Sequence, residues 1–301
     1  MKTMIPHITI CICAYKRPKL LARTLDAVFA QDSAGLFTFS IVVTDNDKAE
    51  SSRTVVQEVA SRGHIPVKYC VEPRQNIALA RNTGVANSSG EFVAFVDDDE
   101  IPIREWLFTL FQTLCLSKAD GVLGPVPPQF DDDTPKWVIQ SKLFERPVHP
   151  TGMILTWNQC RTGNVLLRRE LLTCDTEPFD PKCLSGEDQD FFRRRIANGH
   201  TFVWCHGAPA YEVIPPERWK RSFLLRRALF RGLFAQRNHG LQPVRVLQAF
   251  ISVPVYVVLL PFAFSLGQAR FMSCLFKLSY HVGRLCALFG FHPIRAAYVT
   301  E

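Results

Sequence analysis

Apolar runs of strand length alternate with apolar positions at helical spacing over the first hundred residues of the chain. The runs that predict strands are residues 8–13, 40–44, 67–71 and 91–96. The stretches that predict helices open at Pro18 and cover residues 51–61 and 76–87. Strands separated by helices favour right-handed crossovers. The fold class expected is therefore α/β, with a doubly wound, mainly parallel sheet.

The fourth predicted strand ends in a run of acids, Val96-Asp97-Asp98-Asp99-Glu100. Consecutive acids repel one another, so a folded protein tolerates them mainly where a cation or several hydrogen-bond donors compensate. Ligands of open parallel sheets bind outside the carboxyl ends of the strands. Hard carboxylate oxygens there suit Mg²⁺ or Mn²⁺, which in turn suits a diphosphate. The alternative is a solvated acidic turn.

Polar groups follow three of the predicted strands. Tyr15, Asp45 and residues 97–99 all come directly after a strand, so a parallel sheet would bring them to one edge. The alternative, that each is an unrelated turn residue, has to explain why all three occupy the same kind of position. Further along, residues 121–150 are rich in proline and look like a long connection, a type of segment that often forms a lid or an acceptor-binding loop.

The C-terminal part of the chain is strongly apolar. Residues 246–269 carry no charge and are flanked by Arg245 and Arg270, and about 20 apolar residues suffice to span a bilayer as a helix. Pro254 and Pro261 would kink that helix, so a re-entrant or in-plane segment is also open. The alternative is a helix packed in a protein core.

Basic residues surround this apolar segment. Residues 271–291 place three basic side chains on one helical face, which predicts an amphipathic interfacial helix: Lys277, His281 and Arg284. Residues 218–237 contain seven basic residues and no acid, which indicates an anionic partner. Anionic lipid fits best beside an apolar anchor. A nucleic-acid partner is not expected, because no binding module accompanies the basic residues.

Composition limits the class of protein. The chain of 301 residues, 47% hydrophobic and 21% charged, is long enough for a full core and an appendage. The net charge is +7, and the ten cysteines follow no secretory signal, so we expect them to stay reduced. The expected division is a large domain over 1–222 and a basic, apolar, membrane-associated helical region over 223–301.

Six motifs in order carry a resemblance to a known family. They are Cys13-Ala14-Tyr15-Lys16-Arg17-Pro18, Val43-Thr44-Asp45-Asn46-Asp47, Asn76-Ile77-Ala78-Leu79-Ala80-Arg81-Asn82-Thr83-Gly84, Phe95-Val96-Asp97-Asp98-Asp99-Glu100, Gly163-Asn164 and Gly186-Glu187-Asp188-Gln189-Asp190. With this spacing, the first 220 residues resemble the family-2 inverting glycosyltransferases of the GT-A fold. Within that family they look most like glucosyltransferases of bacterial exopolysaccharide assembly, of the succinoglycan type.

The resemblance implies roles on the nucleotide side. Asp45 would accept a hydrogen bond from uracil N3–H, Tyr15 would pack on the base, and Arg81 would lie near the ribose or the diphosphate. The alternatives are a turn-capping aspartate for Asp45 and a solvated helix arginine for Arg81. Asp97 would reach the ribose, and Asp99 would ligate Mg²⁺ or Mn²⁺. Asp98, also on the nucleotide-sugar side, would point away from the metal, because neighbours on an extended chain alternate sides.

The acceptor side follows from the later motifs. Asp188 would be the base that activates the acceptor hydroxyl, with Gly163, Asn164 and Glu187 nearby, whereas the alternative for residues 187–190 is an exposed acidic loop. Processive relatives carry Gln-x-x-Arg-Trp, but Pro215 stands where the glutamine is needed, so we expect one sugar per transfer. Relatives also place a metal-holding histidine near Glu212, which leaves the third metal ligand open.

These expectations combine into one hypothesis. The chain would move a single hexose, glucose by the resemblance, from a UDP-sugar to a polyprenyl-diphosphate-linked saccharide. It would act on the cytoplasmic face of a bacterial inner membrane, in contact with anionic lipid. The alternatives are a transferase with a soluble or protein acceptor, and a non-catalytic nucleotide-sugar-binding scaffold.

Overall fold

The chain divides into two compact units. The computed structural model describes residues 5–183, 186–238 and 243–291. The first unit, called the α/β unit below, comprises Met1–Pro128 and Arg146–Val213, and the second, called the helical unit, comprises Gln129–Glu145 and Ile214–Glu301. The domains 1–222 and 223–301 stay a prediction, since the helical unit also takes in 129–145 and begins again at 214.

The elements alternate as the apolar pattern predicts. The strands are β1 (His7–Ala14), β2 (Thr38–Asp45), β3 (Val67–Val71), β4 (Phe92–Val96), β5 (Glu100–Pro102), β6 (Gly121–Leu123), β7 (Pro128–Gln129), β8 (Asn164–Arg168), β9 (Phe202–Trp204) and β10 (Ala210–Val213). The helices are α1 (Pro18–Phe29), α2 (Arg53–Arg62), α3 (Ile77–Ala86), α4 (Trp106–Ser117), α5 (Lys136–Ser141), α6 (Glu170–Thr173), α7 (Glu187–Ala197), α8 (Arg221–Asn238), α9 (Pro243–Ser265) and α10 (Gln268–Leu288). Helix α5 and helices α8 to α10 belong to the helical unit.

Local signals explain where the first helices begin. Pro18 stands in the first turn of α1, where its missing N–H is not needed. Asn76 caps α3, because its side-chain oxygen accepts hydrogen bonds from the backbone N–H of Ala78 at 2.8 Å and of Leu79 at 3.3 Å. The four predicted strands and three predicted helices of this region are confirmed, with ends that differ by one or two residues.

The central sheet has seven strands in the order β3-β2-β1-β4-β8-β6-β9. Strands β3, β2, β1 and β4 are parallel, whereas β8 runs antiparallel to β4 and to β6. One face packs against α1, α2 and α4, and the other packs against α3, α6 and α7. The doubly wound, mainly parallel sheet expected from the sequence is therefore confirmed.

The proline-rich stretch 121–150 is more than a connection. Its first residues form β6, which pairs with β8 and β9 inside the central sheet, and residues Lys136–Ser141 form α5. The expectation of an unstructured link is wrong for these parts. The sequence signal was weak because β6 has only three residues and the prolines begin at Pro125, directly after Gly124.

The parallel strands bring their carboxyl ends to one edge of the sheet. Ala14 at the end of β1 is in register with Asp45 at the end of β2, and β4 ends at Val96 between β1 and β8. Directly after the acidic run, β5 pairs antiparallel with β10, which sets Glu100 opposite Glu212. The segments that follow β1, β2 and β4 therefore start from the same edge, as the sequence predicts.

In the helical unit, α9 is long and apolar enough to cross a membrane. An 18-residue window of this 23-residue helix has a mean hydropathy of 2.1, and only 6% of the window is buried. A core helix would be mostly buried, so the alternative of core packing does not fit. Pro254 and Pro261 both lie inside the helix.

Helix α10 does not present the basic face that its spacing predicts. Lys277 is exposed, but His281 and Arg284 are buried. The His281 ring stacks on Tyr256 of α9, with centroids 5.9 Å apart. The interfacial face expected for α10 is therefore wrong at two of its three positions, because a helical period shows which residues share a face and not what covers that face.

Two glycines set the contact between α8 and α10. A Cβ atom at Gly283 would collide with the backbone oxygen of Leu229, and one at Gly232 would collide with the backbone oxygen of Tyr280. We expect Gly283→Ala to lower the free energy of unfolding by about 1–3 kcal/mol, as overpacked sites do. Thermal or urea denaturation in detergent measures the change.

A control makes the same substitution at a turn position without a close contact. Gly207→Ala makes the same chemical change where the nearest atom, Thr109 Cγ2, is 3.4 Å from the added carbon, and we expect little effect there. Alanine in place of glycine inside a helix would by itself add about 1 kcal/mol of stability. A Gly283→Ala variant as stable as the wild type, or more stable, would contradict the close contact.

Candidate functional site

The acidic run after β4 is largely buried. Asp98, Asp99 and Glu100 are 4%, 5% and 0% exposed, whereas the side chain of Asp97 is 40% exposed. Buried carboxylates are costly unless cations or hydrogen-bond donors compensate them. The alternative of a solvated acidic turn is therefore wrong, and the compensating groups identify the rest of the site.

Arg17 and the start of α1 compensate the middle of the run. Arg17 Nη1 donates to Asp98 Oδ1 at 3.2 Å and to Asp99 Oδ2 at 2.7 Å. The expectation that Asp98 and Asp99 point to opposite sides is therefore wrong, because the backbone is not extended at these two residues. The backbone N–H of Tyr15 donates to Asp98 Oδ2 at 3.2 Å, and Thr24 Oγ1 donates to the Asp98 carbonyl at 3.1 Å. Burial raises the pKa of Asp98 to about 7, although the nearby Arg17 guanidinium opposes that change.

Glu100 is the most enclosed acid of the run. Its Oε2 accepts from the backbone N–H of Asp97 at 3.3 Å, and its Oε1 has no hydrogen-bond partner in the described part of the chain. Burial raises the pKa of Glu100 well above its usual range, which favours the protonated form. A Cβ atom at Gly163 would lie 2.5 Å from Glu100 Oε1, so Gly163 allows the segment that precedes β8 to approach this acid closely.

Arg146 and Glu212 form a pair that the sequence motifs did not reveal. Arg146 Nη2 donates to Glu212 Oε2 at 2.6 Å, and Glu212 is 5% exposed. The electrostatic field of Arg146 also reaches Asp97 and Glu100. The signal that could have found Arg146 is the charge balance, since a cluster of buried acids requires cations from elsewhere in the chain.

Arg81 connects the acidic run to the start of α7. Its guanidinium forms an ion pair with Glu187 and lies 3.9 Å from Asp97 Oδ1. Arg81 is 7% exposed and lies over the Phe179 ring, so the alternative of a solvated helix arginine is wrong. Burial opposes the charged form, but Glu187 and Asp97 outweigh it and raise the pKa of Arg81.

The candidate base Asp188 lies in the first turn of α7. Gly186 precedes the helix with a φ of +80°, a backbone conformation that glycine adopts at little cost. The helix N-terminus favours the acids of this turn. Asp188 is partly exposed, and its Oδ1 accepts from the backbone N–H of Gln189 at 2.7 Å. Burial raises the pKa of the neighbouring Glu187, with Arg81 opposing.

Asp45 has the contacts of a turn-stabilising residue. It is fully buried, and its carboxylate accepts from the backbone N–H of Asp47 at 3.0 Å and of Ser52 at 2.7 Å, and from the Tyr69 hydroxyl at 2.9 Å. A carboxylate has about four acceptor positions, so little capacity remains for a nucleotide base. The base-binding role of Asp45 stays a prediction.

Two other predicted residues differ in accessibility. The Tyr15 side chain is partly exposed, and Lys16 Nζ lies 5.1 Å from the centre of its ring. Asn164, by contrast, is 2% exposed and fully hydrogen-bonded, since it accepts from Trp106 Nε1 at 2.8 Å and donates to two backbone carbonyls. These contacts of Asn164 hold β8 in place, and a direct contact with an acceptor stays a prediction.

The predicted residues thus form one contact network and some separate contacts. The network joins the acidic run, Arg17, Arg81 and Glu187, and Asp188 lies within the electrostatic field of Arg81. The side-chain hydrogen bonds of Asp45 and Asn164 go to other residues. The carboxyl ends of the strands therefore lie at one edge, but the side chains of Asp45 and Asn164 are not part of the contact network there.

The carboxylates of the network fit a divalent metal in their chemistry. Mg²⁺ usually binds through one or two carboxylates and takes its other ligands from water and substrate phosphates. Asp99 and the partly exposed Asp97 can supply such oxygens. In the part of the chain that the structure describes, no three His, Cys, Asp or Glu side chains are grouped as a ready-made metal site. The donor set therefore fits a metal that a diphosphate helps to hold.

Comparison with known proteins gives two relatives of interest. Residues 9–173 match the family model described as Glycosyl transferase family 2. The chain is 33% identical over 244 residues to the succinoglycan biosynthesis protein ExoM of Rhizobium meliloti (strain 1021), and the alignment covers 78% of each chain. It is also 28% identical over 109 residues to the GalNAc(5)-diNAcBac-PP-undecaprenol beta-1,3-glucosyltransferase of Campylobacter jejuni. That alignment covers 36% of this chain and 34% of the relative.

Two solved structures have the same fold. The mannosyltransferase PcManGT from Pyrobaculum calidifontis, in complex with GDP-Man and Mn²⁺, matches with a TM-score of 0.61 at 17% identity and covers 96% of this chain and 88% of that one. S. aureus TarS 1-349 in complex with UDP matches with a TM-score of 0.54 at 16% identity and covers 96% and 93%. At these identities the likeness shows the fold alone, which is the GT-A fold expected from the sequence.

The contacts of Asp45 predict a structural cost of its substitution. Asp45→Asn would put an amide group where the carboxylate accepts from Ser52 N–H and the Tyr69 hydroxyl, so a buried donor would face another donor. We expect the free energy of unfolding to fall by about 1–3 kcal/mol, measured by urea denaturation. Tyr69→Phe, which removes one donor, should cost less. An Asp45→Asn variant with unchanged stability would contradict this role.

Proposed function

The chain belongs to glycosyl transferase family 2, and from that premise we propose that it moves a single hexose from a UDP-sugar to a lipid-linked saccharide with inversion. The hexose proposed is glucose, and the setting is polysaccharide assembly. The name of the Rhizobium meliloti relative supports that setting. The name of the Campylobacter jejuni relative, which includes an undecaprenol-linked acceptor, supports a lipid-linked acceptor.

The observation that carries the proposal is the ion pair between Arg81 and Glu187. These residues are 106 positions apart in the chain, and Arg81 also lies 3.9 Å from Asp97. Through this one guanidinium, the acidic run after β4 and the first turn of α7 become neighbours. A donor bound at the acidic run would therefore lie close to the partly exposed Asp188, which an inverting transfer requires of its base.

On the donor side, we assign the acidic run to the diphosphate and the ribose. Asp99 would hold Mg²⁺ or Mn²⁺, which when bound would neutralise the charge of the leaving nucleoside diphosphate. The partly exposed Asp97 would reach the ribose. Tyr15 is exposed enough to pack on a nucleotide base. The UDP complex of the TarS structure supports a uridine nucleotide, and the Mn²⁺ complex of PcManGT supports a divalent metal.

On the acceptor side, Asp188 would take the proton of the attacking hydroxyl. Inversion needs a base on the face of the sugar opposite the leaving group, and it needs no covalent intermediate. Glu187 is occupied by Arg81 and buried, so it suits a positioning role. Asp188 is the more exposed of the two acids and is therefore free to meet a hydroxyl group.

Membrane association would bring the enzyme to its lipid-linked acceptor. The exposed apolar side chains of α9 suit a hydrocarbon environment, and the basic residues of the 218–237 segment suit anionic head groups. We propose the cytoplasmic face of a bacterial inner membrane as the location.

The role of Asp188 predicts a loss of turnover without a loss of donor binding. Asp188→Asn removes the base, and base catalysis is worth about 10²–10⁴-fold. We expect kcat to fall by about 10²–10⁴-fold in a transfer assay with UDP-glucose and Mn²⁺. The affinity for UDP, measured by calorimetry, should not change. Asp190→Asn is the matched control, because Asp190 lies in the same helical turn and binds Arg193 and Arg194. Full turnover by Asp188→Asn would remove it from the mechanism.

The exposed face of α9 predicts binding to lipid vesicles. Val258 and Phe262 are both 64% exposed, and a charge deep in a bilayer costs about 2.5–3.5 kcal/mol. We expect Val258→Glu with Phe262→Glu to lower co-sedimentation with phosphatidylglycerol vesicles at least tenfold. Leu116→Glu, at a 79% exposed position on α4, is the control. Equal sedimentation of the double variant and the wild type would argue against insertion of α9.

A further inference from the structure

Arg17 is bound to the acids that would receive the metal. Its Nη1 lies 2.7 Å from Asp99 Oδ2 and 3.2 Å from Asp98 Oδ1. One guanidinium nitrogen thus lies between two carboxylates. A metal ion bound by both carboxylates would occupy the same position. Asp98 and Asp99 are nearly inaccessible, whereas the Arg17 side chain is 27% exposed. The acids are therefore fixed, and the cation is the group with room to move.

The backbone around Arg17 is firmly held, so any movement would be in the side chain. Pro18 follows it in the first turn of α1, and the Arg17 carbonyl accepts from the backbone N–H of Leu21 at 3.0 Å. The acidic run is tied to the same helix, because Thr24 Oγ1 donates to the Asp98 carbonyl. A long arginine side chain on such an anchor can change its partner without a change of fold.

The other two arginines of the site have different partners. Arg81 is paired with Glu187, which is outside the acidic run, and lies 3.9 Å from Asp97 Oδ1, whereas Arg146 is paired with Glu212 on β10. Arg81 is also much more deeply buried than Arg17. Of these three, Arg17 is the one whose direct partner is the proposed metal ligand Asp99, so it is the one that a metal would displace.

We propose that Arg17 is a resident counter-cation that competes with the divalent metal for Asp99 and turns to the donor diphosphate when the nucleotide binds. This inference rests on the proposed function, which supplies a metal at Asp99 and a nucleoside diphosphate as the donor. Phosphate oxygens offer a guanidinium hydrogen bonds of the same charge-assisted kind as carboxylates do. The nucleotide would therefore release Asp99 to the metal, and the metal would in turn favour the nucleotide.

The consequence is a measurable coupling between metal and nucleotide. Two ligands that each favour the same state of a protein increase each other's affinity by the same factor, typically about 5–150-fold. With Arg17 present, Mn²⁺ alone must displace a guanidinium, whereas Mn²⁺ together with UDP need not. Without Arg17, Mn²⁺ alone should bind more tightly, and UDP should add less.

The test measures Mn²⁺ affinity of the full chain in detergent, with and without UDP, by electron paramagnetic resonance of free Mn²⁺. Arg17→Met keeps the apolar stem and removes the charge. We expect it to bind Mn²⁺ alone about tenfold more tightly than the wild type, which corresponds to about 1.4 kcal/mol. The UDP-dependent increase in Mn²⁺ affinity should be smaller by the same factor, and the increase that remains comes from phosphate oxygens that bind Mn²⁺ directly. Arg17→Lys, which keeps the charge, should retain most of the coupling.

The control is Arg23→Ala, which removes the same charge from an exposed position of the same helix and should behave as the wild type. Circular dichroism checks that each variant is folded. If Arg17→Met binds Mn²⁺ alone no more tightly than Arg23→Ala does, the inference is wrong. If that variant does not fold, Arg17→Gln, which also removes the charge, takes its place in the same comparison.

A separate outcome tests the proposed function beneath the inference. Wild-type protein that binds no Mn²⁺ even with UDP, or an Asp99→Asn variant that binds it as well as the wild type, would refute the metal site itself. In contrast, a wild type whose Mn²⁺ binding depends on UDP and on Asp99, but not on Arg17, would refute only the role of Arg17.

Discussion

The α/β unit depends on the neutralisation of buried acids at the end of β4. Asp98, Asp99 and Glu100 leave the sheet in succession and are almost completely enclosed. Uncompensated charges in such a position would cost several kcal/mol each. Arginines from other parts of the chain, among them Arg17 and Arg146, supply the compensation, and burial favours the protonated form of Glu100. The acidic loop is stable because distant segments come to it.

This compensation also builds the site. Each ion pair joins a different segment to the acidic loop or to its neighbour: Arg17 at the start of α1, Arg81 on α3 and Arg146 before β8. The acidic run, Arg17, Arg81 and Glu187 are thereby held in one network, and Asp188 lies within the electrostatic field of Arg81. The cations of this network are already bound to acids, so a ligand that binds there would have to exchange partners with them.

The helical unit has a different physical basis. Its small core is apolar, and Gly232 and Gly283 let α8 and α10 approach at backbone distance. Helix α9 contributes little to that core and leaves an apolar surface that water does not favour. The length, apolar composition and exposure of α9 are compatible with membrane association.

Local periodicity and composition were sufficient to predict the strands and helices up to β4, the sheet edge that carries Tyr15 and the acidic run, and the apolar character of α9. Which polar groups meet depends on the packing of distant segments and could not be predicted in this way. Asp45 faces Tyr69, and the basic residues of α10 are partly covered, because the partners lie tens of residues away or on another helix. Periodicity describes the faces of an element, whereas burial and ion pairing depend on what packs against them.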